Sequence, residues 1–121
     1  MYKIKIVSGF SGAHSLRGYL GKCEELHGHN WKVEVIVCSK KLDSIGIVID
    51  FSKLKSILNS VLEELDHKYL NDLDYFKKNN PTSENIAYYI FNKIKKSLNK
   101  NINLVEVNVW ETDNSCASYS D

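Results

Sequence analysis

Between residues 29 and 38 the chain alternates, with Trp31, Val33, Val35 and Val37 on one parity and Lys32 and Glu34 on the other. A period of two predicts a β-strand with one face in a core and one toward water. Residues 2–10 alternate in the same way and predict a first strand, followed by a loop carrying Gly12, Gly18 and Gly21. From residue 50 to 65 the period changes. Apolar residues at 51, 54, 57, 58, 61, 62 and 65 form one helical stripe, with Asp50 or Ser52 as its cap. The only proline, Pro81, stands beside Thr82 and Ser83 and marks a second helix start. That helix is expected to bury Ile86, Ile90, Ile94 and Leu98 and to end near residue 98. Residues 103–111 predict a strand with Val105, Val107 and Val109 on one face. Asp113-Asn114-Ser115 then turns the chain into a short last strand at 116–120. The order ββααββ implies an α+β fold: a four-stranded antiparallel sheet with two helices on one face, in a single domain over residues 1–121.

Charge and composition narrow the classes of partner. The net charge of +1 supplies no field for nucleic acid, and Lys93-Ile94-Lys95-Lys96 reads as a solvated helix face. No apolar run approaches the ~20 residues of a membrane span, so no membrane partner is expected. The N-terminal alternation is unlike a signal peptide. Cys23, Cys38 and Cys116 are odd in number and far apart, which fits a reducing cytoplasm better than a disulfide scaffold. Cys38 and Cys116 read as packing residues within strands.

The chemistry concentrates on four histidines: His14, His27, His29 and His67. On a strand, His27 and His29 project to one side with Cα atoms ~6.5 Å apart, and Gly28 between them adds no bulk. Two such imidazoles can share one zinc ion at ~2.0–2.1 Å each. His14 joins them if the first two strands pair as a hairpin. Three histidines without a carboxylate would leave a fourth position open, as in catalytic zinc sites. A strand-surface coincidence with His14 as a core residue is the plainer alternative.

Three further groups carry open readings. Cys23 is a fourth ligand, a thiolate acid/base or an inert small residue; Lys22 favours the thiolate, and Glu24 and Glu25 oppose it. Asp66-His67 closes the first helix. If the chain turns there, the carboxylate holds the imidazole in one tautomer for proton transfer; otherwise His67 merely complements the helix dipole. Glu111 continues the parity of Val105, Val107 and Val109. An acid on a buried face is costly unless paired or used, for instance to accept two hydrogen bonds from a guanine-like N–H/NH₂ edge; fraying toward water is the alternative.

Taken together, His14, Cys23-x-x-x-His27-Gly28-His29, Leu65-Asp66-His67, Asn80-Pro81-Thr82-Ser83-Glu84-Asn85 and Trp110-Glu111-Thr112 resemble the 6-pyruvoyl-tetrahydropterin synthase family. The match runs nearly the whole chain in order. The short Cys23-to-His27 spacing resembles the bacterial 6-carboxy-5,6,7,8-tetrahydropterin synthase branch, whereas Asp113-Asn114-Ser115 looks like the animal enzymes. The resemblance implies the tunnelling fold, with subunits joined in rings, usually stacked as homohexamers, and active sites at subunit contacts. It implies His14, His27 and His29 as zinc ligands, Cys23 as general base, and Asp66 and His67 as its proton-transfer partners, from the same or another subunit. Glu111 would anchor the pterin ring, helped by Thr112, Thr82 and Glu84. Where many relatives have Ala-Ala-His-Arg this chain has Gly12-Ala13-His14-Ser15. Arg17, the only arginine, and Lys22 then become candidates for holding a triphosphate.

The implied reaction is zinc-dependent conversion of 7,8-dihydroneopterin triphosphate to 6-carboxy-5,6,7,8-tetrahydropterin. It releases triphosphate and acetaldehyde and feeds synthesis of queuosine and related 7-deazapurines. The alternative within the family is 6-pyruvoyl-tetrahydropterin formation for tetrahydrobiopterin, without carbon–carbon cleavage. A third possibility is a non-catalytic metal module with Cys23 as fourth ligand.

Overall fold

A computed structural model describes residues 1–19, 21 and 25–121. Among these, the chain forms β1 (Tyr2–His14), β2 (His27–Ser39), α1 (Phe51–Leu62), β3 (Lys68–Tyr69), a 3₁₀ turn at Leu70–Asp72, α2 (Asp74–Lys78), α3 (Ser83–Lys95), β4 (Asn103–Thr112) and β5 (Ser115–Tyr119). One five-stranded sheet has the order β3-β1-β2-β4-β5. Its neighbours are antiparallel except β3, which runs parallel to β1 through Gly12↔Lys68 and Ala13↔Tyr69.

The α+β class and the four long strands follow the alternation in the sequence. The fifth strand and the third helix are corrections. β3 spans two residues and α2 five, too few for either period to register. β1 also runs past residue 10 to His14, taking Gly12 out of the expected loop. Pairing along the whole length of β2 outweighs the weak strand preference of Ser11 and Gly12. Two glycines of β1 are matched to close approaches. A Cβ at Gly9 would lie 2.6 Å from the Trp31 carbonyl oxygen, and one at Gly12 would lie 3.1 Å from the Phe10 ring.

The core lies between the sheet and the helices. Ile6, Phe10, Trp31, Val33, Val35, Val37, Val107 and Val109 meet Leu54, Leu58, Leu62 and Leu65 from α1 and its exit, and Ile86, Ile90 and Ile94 from α3. Asp50 caps α1 by accepting from the Ser52 amide, and Thr82 caps α3 by accepting from the Asn85 amide. Leu98, expected inside α3, lies beyond its end and packs on the core half-buried. Val105 does not join the Val107–Val109 face. Pairing steps from Ile36↔Glu106 to Val37↔Leu104, so Val105 is the extra residue of a bulge and Leu104 packs on the core instead. Cys38 is buried as expected, but Cys116 is exposed, because β5 is an edge strand.

Candidate metal centre and proton-transfer pair

The β1–β2 register places His14 directly opposite His27, and Gly12 opposite His29. The three rings gather on the core side, with centroids 4.5 Å (His14–His27), 5.2 Å (His14–His29) and 4.8 Å (His27–His29) apart. Trp31 forms the floor. It is 1% exposed, packs edge-on against His14 and His29, and donates from Nε1 to the Gly12 carbonyl.

Hydrogen bonding settles which ring nitrogens carry protons. His14 Nδ1 lies 2.7 Å from the Pro81 carbonyl oxygen, and His27 Nδ1 lies 2.7 Å from the Glu25 carbonyl oxygen. A carbonyl can only accept, so both Nδ1 atoms donate, and in the neutral rings both Nε2 atoms present lone pairs. Those two Nε2 atoms are 3.0 Å apart. Two lone pairs at that distance repel unless a cation stands between them. His29 Nε2 is buried with no hydrogen-bond partner. Glu111 Oε1 lies 3.3 Å from His14 Nε2 and 3.4 Å from His29 Nε2. One donor atom from each of His14, His27, His29 and Glu111 falls within 4.8 Å of the others, so this group can hold a metal ion. Backbone carbonyls on the far ring nitrogens are the usual outer support of metal-binding histidines.

Burial pushes the His14 and His29 rings below the ordinary imidazole value, the effect of His27 adding to it. The Pro81 contact at His14 and the Glu111 carboxylate near both rings oppose the shift without reversing it. Neutral rings offering lone pairs are the form a metal requires.

Asp66 and His67 form a contact pair on the other side of β1. The chain turns there as the pair requires, with His67 at φ +56°, an unusual backbone conformation for a non-glycine residue. Asp66 Oδ1 accepts from the Ser11 amide at 2.9 Å, and the His67 amide donates to the Ser11 carbonyl. Asp66 Oδ2 lies 2.9 Å from His67 Nδ1. The Ser11 amide, and after it His67, hold the Asp66 carboxyl below its usual range. The His67 side chain is 81% exposed. A cavity of about 480 Å³ is lined by both His29 and His67, with Ser11, Asn30 and Tyr69 among its walls.

Set beside this geometry, comparison with known proteins is decisive. Residues 3–121 match the family described as 6-pyruvoyl tetrahydropterin synthase. The chain belongs to the 6-pyruvoyl tetrahydropterin synthase family. It is 41% identical to the 6-carboxy-5,6,7,8-tetrahydropterin synthase of Synechocystis, over 91% of this chain and 86% of that one. It is 38% identical to a dihydroneopterin monophosphate aldolase of Pyrococcus furiosus, over 86% of this chain and 84% of that one. The solved 6-pyruvoyl tetrahydropterin synthase of Caenorhabditis elegans superposes with a TM-score of 0.89 at 32% identity, covering 99% of this chain and 95% of that one.

In this pterin synthase chain the remaining expected site residues divide. Thr112 sits at the β4–β5 turn, where its hydroxyl accepts from the Asn114 amide, and Thr82 is occupied as the α3 cap. Glu84 is exposed in the first turn of α3. Arg17 is exposed and donates from its guanidinium to the Phe76 carbonyl. Lys22 and Cys23 lie outside the described residues.

Three asparagines escaped the reading of the sequence. Asn71 accepts from the Ser15 amide and donates to the Ser15 carbonyl; Asn80 does the same with Arg17. Asn85 donates to the Asn80 carbonyl. Each two-way contact imitates a strand pairing, and together they dock the chain after His14 against the segment carrying Pro81. The Asn80–Asn85 run was visible as a motif, but its role, aiming His14 through the Pro81 carbonyl, depends on contacts across more than sixty residues.

Proposed function

We propose that this chain converts 7,8-dihydroneopterin triphosphate and water to 6-carboxy-5,6,7,8-tetrahydropterin, triphosphate and acetaldehyde, as a zinc-dependent lyase of the cytoplasm acting as one domain. The observation that carries the reading is the convergence of three Nε2 atoms and one carboxylate beside a cavity that also reaches His67. Identity to 6-carboxy-5,6,7,8-tetrahydropterin synthases over most of the chain favours this product, which in turn suits a role in queuosine and related 7-deazapurine synthesis.

In this reading His14, His27 and His29 would hold zinc, which when bound would supply Lewis acidity to the hydroxyls of the substrate side chain. Cys23 takes a proton from that side chain. Asp66 fixes the His67 ring with its proton on Nδ1, so that Nε2 is free to exchange protons with Cys23 or with substrate. Glu111 accepts from the N–H/NH₂ edge of the pterin ring, with Thr112, Thr82 and Glu84 as further candidates for holding the ring. Arg17 spends one contact on Phe76, and a guanidinium has five N–H donors, so others remain for phosphate together with Lys22.

A ring assembly, with a homohexamer as the expected form, agrees with two features. The outer side of β1 from Tyr2 to Ser11 has no strand partner among the described residues, and neither has the outer side of β5. Such edges are templates for strand pairing between copies. His67 is open to solvent, as suits a group that meets Cys23 of a neighbouring subunit.

Likeness to the nematode enzyme favours 6-pyruvoyl-tetrahydropterin as the second reading, and the Pyrococcus relative adds simple aldol cleavage. Mass spectrometry of the products from dihydroneopterin triphosphate separates the three. A carboxylated tetrahydropterin with acetaldehyde supports the proposal; a pyruvoyl product, or an aldol product that keeps its phosphates on the released fragment, replaces it.

A further inference from the structure

We propose that the groove between α2 and α3 is a second ligand site, which takes a nucleoside phosphate with its base among Tyr75, Tyr88 and Tyr89 and its phosphate at Lys93 and Lys96. The groove shares no residue with the histidine group or with the cavity that joins His29 to His67, so the site stands whether or not zinc is bound.

The spacing along α3 sets the groove up. Tyr88, Asn92 and the cap residue Lys96 recur every four positions, as do Tyr89 and Lys93, so they share one helical face. α2 and the turn before it bring Leu73 and Tyr75 against that face, and Glu64 reaches it from the exit of α1. The cavity so enclosed is about 510 Å³, the size of a small-molecule site.

Its chemistry changes along its length. At one end Tyr75 lies 6.4 Å from Tyr88, nearly parallel to it, and 5.3 Å from Tyr89, measured between ring centroids. In the middle stands the Glu64 carboxylate. It accepts from the Tyr89 hydroxyl at 3.2 Å and lies 3.8 Å from Lys93 Nζ. Burial, with the Glu64 charge adding to it, pushes the Tyr89 phenol up to about 12, so the hydroxyl stays a donor. Lys96 marks the other end, roughly 12 Å from Tyr88 at ~1.5 Å per helical residue. Lys77, Lys93 and Lys95 each meet a carboxylate, whereas Lys96 meets none among the described residues. Past the Glu64–Lys93 contact a smaller cavity of about 330 Å³ adds Ser56, Ser60 and Ser97.

The order ring, carboxylate, cation is that of base, ribose and phosphate. Any base stacks on a tyrosine ring, so the aromatic end selects the class and not one base. A carboxylate accepts from ribose hydroxyls in dinucleotide sites. Lysine offers phosphate a point charge, and serine hydroxyls donate to it. The carbonyl end of α3 adds roughly half a negative charge there, which two lysines outweigh. The Glu64 and Lys93 side chains are 46% and 43% exposed, so their contact opens at little cost and frees one partner for ribose and the other for phosphate.

Isothermal titration calorimetry with adenosine 5′-monophosphate tests this, with adenosine and inorganic phosphate as its separated halves. The monophosphate should bind about tenfold or more tightly than either half. Tyr88→Ala and Lys96→Ala, both at exposed positions, should each weaken it about tenfold, the scale of one lost stacking ring or charge-assisted contact. Glu64→Gln should weaken the monophosphate and leave its 2′,3′-dideoxy analogue unmoved; equal losses for the two overturn the ribose contact. Adenosine that binds as tightly as the monophosphate overturns the phosphate end, and phosphate that does so overturns the aromatic end. These two comparisons use the unaltered protein and need no variant to fold. Binding that neither Tyr88→Ala nor Lys96→Ala weakens, or no binding at millimolar nucleotide, overturns the site.

Discussion

His14 donates a hydrogen bond from Nδ1 to the carbonyl oxygen of Pro81, 67 residues further along the chain, at 2.7 Å. That contact points His14 Nε2 at His27, His29 and Glu111. The Pro81 segment is in turn held by Asn80, whose side chain bonds both backbone groups of Arg17. Asn80→Ala should therefore weaken zinc binding by about 10–100-fold, the range seen when outer support of a ligand is removed. His14→Ala should weaken it by a larger factor. Chelator competition measures both, and an Asn80→Ala protein with unaltered affinity would show that the docking does not aim the ring.

Asp66→Asn should lower turnover by about 10²–10⁴-fold, the usual contribution of a positioned acid–base group, and leave zinc content unchanged. The amide can donate its own N–H to His67 Nδ1 and so favours the other tautomer. His67→Gln should fall in the same range, and the double variant little further, since the pair acts as a unit. Losses that multiply would show two separate roles.

Burial holds His14 and His29 below the ordinary imidazole value of 6.5. As pH falls below 6.5 the unfolded chain takes up protons that the folded, metal-free protein resists, so unfolding becomes easier. The stability due to these neutral rings is complete above 6.5 and is lost downward from there toward their folded values, with a slope of up to ~1.4 kcal/mol per pH unit for each ring. Urea unfolding of the metal-free protein on either side of pH 6.5 checks this; stability that is level or rises on acidification contradicts it. Zinc should flatten the profile until protons displace it.

Gly9→Ala should destabilise the protein by about 1–3 kcal/mol, the cost of overpacking. The added Cβ would stand 2.6 Å from the Trp31 carbonyl, a backbone atom that moves only if β1 and β2 separate. Chemical denaturation measures the loss. Because Trp31 is the floor under the histidines, zinc affinity should drop as well.

Arg17→Ala should raise the KM for the triphosphate substrate several-fold while zinc affinity stays level. An unchanged KM would confine the guanidinium to its contact with Phe76.

The sequence by itself determined what depends on local period. The alternation through β2 put His27 and His29 on the core side with Trp31 and Val33. The helical stripe selected Leu54, Leu58, Val61 and Leu62, and Thr82 after Pro81 marked the start of α3. A period of two or 3.6 is written in residues a few positions apart, so it can be read without the fold. Tertiary structure decided the rest. It set the register that faces His14 to His27, the bulge that sends Glu111 into the histidine group, and the hold of Ser11 on Asp66 and His67. It also decided the asparagine contacts that dock Pro81, and the two-residue β3. These are choices between chain segments tens of residues apart, made by packing and by hydrogen bonds that no local pattern encodes.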